Sequence, residues 1–189
     1  EVSLPTDSYV VKRLITGMHF VDGTNIEKAL YVNERTIAKD LPGDFLDNLL
    51  LKEAYRTESN FNEEVKVKDL EQARINLFGK NYEIIIPTDK EVGSCPVFKY
   101  NTEKRSYKRD SSECNITNDI SISYDVVEAR IIENKSITIY EAVAFIKDDK
   151  IYKKIDGSNN VSDEVKDVTT DGFNVLDNVK KLNQYKYTF

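Results

Sequence analysis

The chain has 189 residues, of which 40% are apolar and 32% are charged, and it carries a net charge of -6. This length predicts one domain spanning residues 1–189. The 11 Tyr and 8 Phe are more aromatic residues than a disordered chain carries, so the composition predicts an ordered protein. Its apolar runs are shorter than the roughly 20 residues that cross a membrane. Its net negative charge argues against a protein whose surface as a whole binds the phosphate backbone of a nucleic acid.

Helical periodicity dominates the first part of the chain, which predicts a helical layer over about residues 6–79. Thr6 and Asp7 are suitable caps for a first helix that ends near Gly17 or a few residues later. Asp40 and Pro42 are typical start signals for a second helix. A third helix is predicted from about Asp69 to Phe78, with Gly79 as its stop. Short extended pieces are predicted at 30–32 and 36–37.

Strand periodicity dominates the rest of the chain, which predicts a sheet over about residues 81–189. Tight polar turns separate long alternating runs, and this pattern is typical of an antiparallel meander. Helices followed by strands indicate an α+β fold in which the N-terminal helices pack on one face of a curved antiparallel sheet. The predicted strands are 82–86, 96–100, 105–108, 119–132, 136–147, 151–155 and 185–189, with a polar loop at 156–172 and a helical turn at 175–182.

The two cysteines, Cys95 and Cys114, flank a predicted β-hairpin. Antiparallel pairing would bring the two Cα atoms within reach of a disulfide, which would stabilise the fold by roughly 3 kcal/mol in the chain-entropy model. The alternative is a pair of unpaired thiols in a cytosolic protein. Because polar, loop-like sequence surrounds both cysteines, we expect the disulfide and therefore an oxidising compartment.

A two-residue turn at Asn134-Lys135 would set Glu128 directly opposite Glu141, with Arg130 diagonal to them on the same side of the sheet. The same register places an aromatic row on that side: Tyr124, Phe145 and Tyr152. One interpretation is the polar end of an apolar pocket, in which Glu141 could serve as an acid, a base or a ligand contact. The other is a set of solvated charges at the margin of the sheet.

The hairpin between the cysteines concentrates basic residues, with aromatic residues interleaved among them: Lys99, Lys104, Arg105, Lys108 and Arg109. Such a surface could hold an anionic partner, for example a cell-wall polymer, a membrane surface or a nucleic-acid strand. Alternatively, these charges keep an exposed strand edge from aggregating.

Motifs for catalysis, metal binding and phosphate cradling are missing from the sequence. There is no G-x-S-x-G, no glycine-rich loop between a strand and a helix, no zinc-type spacing of Cys or His, and no calcium loop. We therefore expect no catalytic residue, no metal and no cofactor.

Several segments together resemble a group of uncharacterised proteins of low-GC Gram-positive gut bacteria. They are residues 32–41, 77–80, 95–100 and 185–189, together with Cys114. The resemblance implies a surface-exposed domain behind an N-terminal membrane anchor. The order of helices and strands also resembles the nuclear-transport-factor-two-like or cystatin-like cone, a fold that hosts enzymes, binding domains and scaffolds alike.

These observations favour a non-catalytic, extracytoplasmic domain at the cell surface that binds a protein or a cell-envelope partner. Specific nucleic-acid binding is not expected, and contact with a membrane is expected only through an anchor. Since the chain begins at Glu1 without a signal-peptide pattern, we interpret it as a mature or trimmed form. The alternative is a cone-type carrier or enzyme with a pocket between helices and sheet.

Overall fold

A computed structural model describes residues 1–19, 30–32, 37–57, 64–93, 97–110, 119–133 and 135–189. Helices and a mostly antiparallel sheet confirm the predicted α+β class. The chain divides into two compact units, which we call the meander unit and the helical unit. The meander unit holds Glu1–Thr16, Leu30–Glu34 and Asn118–Phe189, and the helical unit holds Gly17–Ala29 and Arg35–Thr117. That the whole chain forms one domain stays a prediction.

Along the chain, the first elements belong mostly to the meander unit, those between residues 38 and 110 to the helical unit, and those from residue 121 onward to the meander unit again. The helices are α1 (Tyr9–His19), α2 (Gly43–Thr57) and α3 (Val67–Phe78), with 3-10 helices at Ala38–Asp40 and Leu176–Lys181. The strands are β1 (Val2–Leu4), β2 (Glu64–Lys66), β3 (Val97–Asn101), β4 (Ser106–Asp110), β5 (Ser121–Ile132), β6 (Ser136–Lys147), β7 (Lys150–Ile155), β8 (Val161–Glu164) and β9 (Asn183–Thr188).

The three predicted helices are confirmed, and local signals explain their ends. The carboxylate of Asp69 accepts the backbone N–H of Lys66 at the start of α3. At the other end, Gly79 takes a φ of +82°, which glycine adopts without steric cost, and its N–H bonds the carbonyl of Ile75. None of the described helices is long and apolar enough to span a membrane.

The predicted meander is confirmed as β5, β6 and β7, and β3, β4 and β9 were also predicted, whereas the strand predicted at 82–86 is wrong. Residues 82–86 form no strand, although Ile84 and Ile86 pack on the core while Ile85 is 90% exposed. The alternation there reflects packing by an extended segment that has no ladder partner among the described residues. The short strands β1, β2 and β8 were not predicted, and β8 interrupts the predicted loop at 156–172.

The long strand β6 is the centre of the meander unit, since β5 pairs with one edge and β7 and β9 share the other. Its alternating residues bury two different sides of the sheet. On the first side, which we call the α1 side, Ile139 packs with Val11 and Ile15 of α1. On the opposite side, Ala142 and Ala144 pack with residues flanking the 3-10 helix Leu176–Lys181.

The helical unit has its own core between α2, α3 and the small sheet β2-β4-β3. Leu50 and Leu51 of α2, Leu70 of α3 and Tyr107 of β4 all meet there without exposure to solvent. The sequence predicted all helices over one large sheet. Instead, α2 and α3 share their core with this three-stranded sheet, because the alternating apolar positions of its strands supply a second apolar surface.

Leu50→Ala should lower the free energy of unfolding by about 2–5 kcal/mol, because it leaves a cavity in the core of the helical unit. Ile85→Ala is the matched control in the same unit and should change the stability by less than about 0.5 kcal/mol, since Ile85 is exposed. Urea denaturation followed by circular dichroism measures both. Equal losses in the two variants would contradict the described core.

Candidate functional site

The pairing of β5 with β6 differs from the predicted register. The turn contains three residues, so Ile132 pairs with Ser136 rather than Ile137. This one-residue shift pairs Glu128 with Tyr140, so the predicted pair of facing carboxylates is wrong. A β-bulge between Val126 and Glu128 shifts the register of Val126 and the residues before it by one more residue.

The bulge sends the two parts of β5 to different sides of the sheet. Tyr124 and Val126 share the α1 side with Glu141, whereas Glu128 and Arg130 project from the opposite side. Arg130 bonds the carboxylate of Glu128 and, at 2.9 Å, that of Glu1. These side chains are partly exposed, so the ion pairs are surface interactions that contribute little to stability.

Glu141 is fully buried in the middle of the α1 side, between the apolar residues of β6. A buried carboxylate is stable only when donors replace its lost hydration. The Tyr187 hydroxyl donates to Glu141 Oε2 at 2.9 Å, and the Tyr31 hydroxyl donates to the same oxygen at 3.4 Å. The candidate site is thus a closed carboxylate–phenol group rather than a pair of carboxylates.

Aromatic rings enclose this carboxylate, and we call the group Glu141, Tyr31, Phe145, Tyr185 and Tyr187 the Glu141 cluster. The ring of Tyr31 lies edge-on to Phe145 and Tyr185, with centroid distances of 5.4 and 4.7 Å. Such edge contacts are favourable beyond the area that they bury. Tyr31 therefore attaches the described residues 30–32 to the sheet by ring packing as well as by hydrogen bonding.

Two other predicted residues lie on the α1 side beside this cluster. The predicted pairing of Phe145 with Tyr152 is present, but Tyr124 pairs with Val143 and not with Phe145. The aromatic row of the prediction is therefore offset on β5 by two residues, which the longer turn and the bulge explain.

Burial and charge together favour the protonated form of Tyr187 and Tyr185 in the Glu141 cluster. Burial raises the pKa of Tyr187, and the neighbouring Glu141 carboxylate raises it further. Burial likewise raises the pKa of Tyr185. Protonated phenols are donors to a carboxylate, so the arrangement can hold a buried negative charge. Because Glu141 has no solvent access, a substrate cannot reach it in this conformation.

The basic hairpin is present as β3 and β4, but its five cations do not form one surface. Lys99 and Lys108 lie directly opposite each other on the outer side of the sheet β2-β4-β3, next to the turn that carries Lys104 and Arg105. Arg109 has the opposite side-chain orientation and lies over the ring of Tyr55, 5.6 Å from its centroid.

The aromatic residues of the hairpin are separated from its lysines by strand alternation. Phe98, Tyr100 and Tyr107 point into the core of the helical unit. Burial raises the pKa of Tyr107 to about 12. Their faces are therefore engaged in packing, and the expected interleaving of aromatic and basic residues on one surface is wrong.

The sequence did not indicate an ion pair between the buried Asp47 of α2 and the half-exposed Lys90. The carboxylate of Asp47 lies 2.6 Å from the ammonium of Lys90. Burial raises the pKa of Asp47 despite the opposing effect of Lys90. A possible signal was the polar sequence Asp47-Asn48 inside the apolar stripe of α2, whereas nothing in the sequence around Lys90 indicated the partner.

The predicted disulfide lies outside the described residues, since neither Cys95 nor Cys114 is among them. Within the described part of the chain, no group of three or more His, Cys, Asp and Glu side chains is arranged to hold a metal ion.

Comparisons with protein-family models, with curated proteins and with solved structures found no match to this chain.

Tyr187→Phe should destabilise the fold by about 1.5–3 kcal/mol at neutral pH, because it removes a donor to a buried carboxylate. It should also reduce the loss of stability at alkaline pH. An unfolded tyrosine loses its proton near pH 10, whereas native Tyr187 keeps it, so the native state binds more protons. Stability therefore falls above about pH 10, by up to about 1.4 kcal/mol per pH unit for this group.

Urea denaturation from pH 9 to pH 11 measures this difference. Tyr9→Phe is the control, since Tyr9 is 77% exposed on α1 and its replacement should leave the alkaline loss unchanged. Parallel pH profiles for the wild type and Tyr187→Phe would contradict the assignment of Tyr187 as a buried proton donor.

Proposed function

We propose that this chain is a non-catalytic binding module that acts outside the cytoplasm and holds an anionic polymer of the cell envelope. The observation that carries the proposal is the excess of positive charge on the outer side of the sheet β2-β4-β3. Lys66, Lys99 and Lys108 lie there with two carboxylates, Glu64 and Asp110. The adjoining turn adds Lys104 and Arg105 together with one carboxylate, Glu103.

The exposure of these cations supports binding to a large partner. Lys99 is 57% exposed and Lys104 is 65% exposed, although Lys99 lies 2.8 Å from Asp110 and Lys104 lies 3.7 Å from Glu64. Lys99 and Lys108 lie directly across the strand pair, and Asp110 and Glu64 on the same side compensate part of their charge. A polyanion could contact the exposed ammonium groups in addition to these carboxylates.

The chemistry of the face favours a polymer that is recognised by its charge. Phe98, Tyr100 and Tyr107 are used in the core, so bases could not stack on them from this side. Lysine ammonium groups act as point charges, which suits repeated phosphates without a fixed geometry. A cell-envelope polymer with phosphodiester groups has this chemistry.

The proposed location depends on a disulfide between Cys95 and Cys114. Val97 at the start of β3 pairs with Asp110 at the end of β4, so the chain enters and leaves the hairpin side by side. This geometry supports a bridge between the flanking segments. Together with the resemblance to anchored bacterial proteins, it supports a cell-surface domain whose link to the membrane is an N-terminal anchor.

A cone-type enzyme is not favoured by the geometry. Its proposed pocket would have placed Glu128 and Glu141 together at the polar end, and the two lie on opposite sides of the sheet. Glu141 is buried and accepts hydrogen bonds from two tyrosine hydroxyls, which supports a structural role for it.

A thiol assay on the unreduced protein should detect no free thiol, both before and after denaturation, because the proposed bridge uses both cysteines. Reduction followed by denaturation should release two. Detection of two thiols in protein purified under oxidising conditions would contradict the extracytoplasmic proposal.

The triple variant Lys104→Gln, Arg105→Gln, Lys108→Gln should bind poly(glycerol phosphate) at least about tenfold more weakly than the wild type at about 50 mM salt. Its affinity should also depend less on salt, since fewer counterions are released when fewer cations contact the polymer. Affinities measured at about 50 mM and about 200 mM salt test both statements.

The matched control removes three charges from the meander unit with Lys12→Gln, Lys135→Gln, Lys147→Gln. This control variant should bind within about twofold of the wild type if the hairpin face carries the affinity. Equal weakening in the two triple variants would show that net charge alone drives binding, and would overturn the proposal.

A further inference from the structure

The meander unit contains a basic groove that is separate from the hairpin. It has a volume of about 400 Å³ and is lined by Lys153, Glu164, Val165, Lys166, Lys180 and Lys181. This volume is within the range of small-molecule sites. We call it the lysine groove. Four of its six lining residues are cations, on a chain whose net charge is -6.

Two carboxylates of β8, one of which is part of the lining, are paired with lysines outside the lining. Glu164 lies 3.3 Å from Lys150, and Asp163 lies 2.6 Å from Lys154. None of the four groove lysines forms an ion pair with another described residue. The lining therefore carries an excess of positive charge, which attracts anions.

Backbone contacts and a buried floor hold these positions in place. The carbonyl of Lys153 accepts a hydrogen bond from the side chain of Asn183 at 3.1 Å, which ties β7 to the start of β9. Val165 is buried beneath the groove and bonds the carbonyl of Ile151 through its backbone N–H. The groove is thus formed by hydrogen-bonded backbone and does not depend on a ligand for its outline.

The 3-10 helix supplies the other wall of the groove. Lys180 and Lys181 are its last residues, and cations at a helix C-terminus also interact favourably with the exposed carbonyls. The flanking residues Val175 and Leu182 are buried in the core of this unit, which fixes the direction of the helix. The helix dipole explains why cations are favourable at the C-terminus of this 3-10 helix. Lys153 and Lys166 come from other segments, so the dipole does not explain why they line the same groove.

We propose that the lysine groove binds a soluble, multivalent phosphorylated anion. Four ammonium groups match a ligand with several negative charges, and they place no requirement on planar, bidentate geometry. The lining has no aromatic side chain, so recognition is through the charged groups and not through a ring. This site lies in the other unit from the hairpin face and does not depend on the polymer proposal.

Isothermal titration of the intact chain with inorganic tripolyphosphate at low salt tests the site. The wild type should bind, and Lys180→Gln, Lys181→Gln should bind about tenfold more weakly because half of the groove cations are lost. Lys12→Gln, Lys135→Gln removes the same charge elsewhere in the meander unit and should bind within about twofold of the wild type.

Three outcomes would overturn the inference. The first is no binding of tripolyphosphate to the wild type, and the second is equal weakening in the two double variants. The third is binding only to vesicles containing phosphatidylglycerol, which would make the ligand a lipid surface. The hairpin variant Lys104→Gln, Arg105→Gln, Lys108→Gln should keep its tripolyphosphate affinity, so the groove and the polymer proposal fail separately.

Discussion

The hydrogen bond from Tyr187 to the buried carboxylate of Glu141 is the constraint on which the meander unit depends. Burying an ionised carboxylate without donors would cost several kcal/mol, so β6 can carry Glu141 only if the neighbouring strand brings a donor. β9 does so because Tyr187 lies next to Tyr185, the cross-strand partner of Glu141, on the same side of the sheet. The last strand is therefore joined to the centre of the sheet by side-chain chemistry as well as by its backbone ladder.

The bulge in β5 determines which charged residues join this interior. Without the extra residue at Val127, Glu128 would have continued on the side that carries Val126 two positions earlier. With it, Glu128 and Arg130 lie on the opposite side, where solvent screens their interaction. One inserted residue thus separates two carboxylates that would otherwise compete for the same buried environment, and it leaves Glu141 as the carboxylate that the tyrosines stabilise.

Much of the fold could be predicted from local patterns, whereas the site could not. The helices and the meander follow from caps, periodicity and polar turns, which act over a few residues. The register depends on a turn of three residues and a bulge, and neither has a strong local signal in this sequence. Glu141 was visible as a charge within an apolar alternation. Its partners Tyr31 and Tyr187 are separated from it by 110 and 46 residues, so only the tertiary fold identifies them.

Side-chain alternation also explains where this acidic chain concentrates positive charge. In β3 and β4 it sends aromatic residues to the core and lysines to the surface, so Lys99 and Lys108 become neighbours although nine residues separate them. In β7 the same alternation lets Lys154 reach Asp163 of the adjacent strand, while Lys153 points to the other side, toward the lysine groove. Strand alternation therefore determines which side of each sheet a lysine occupies, and carboxylates such as Asp110 and Glu164 lie beside the lysines in both places.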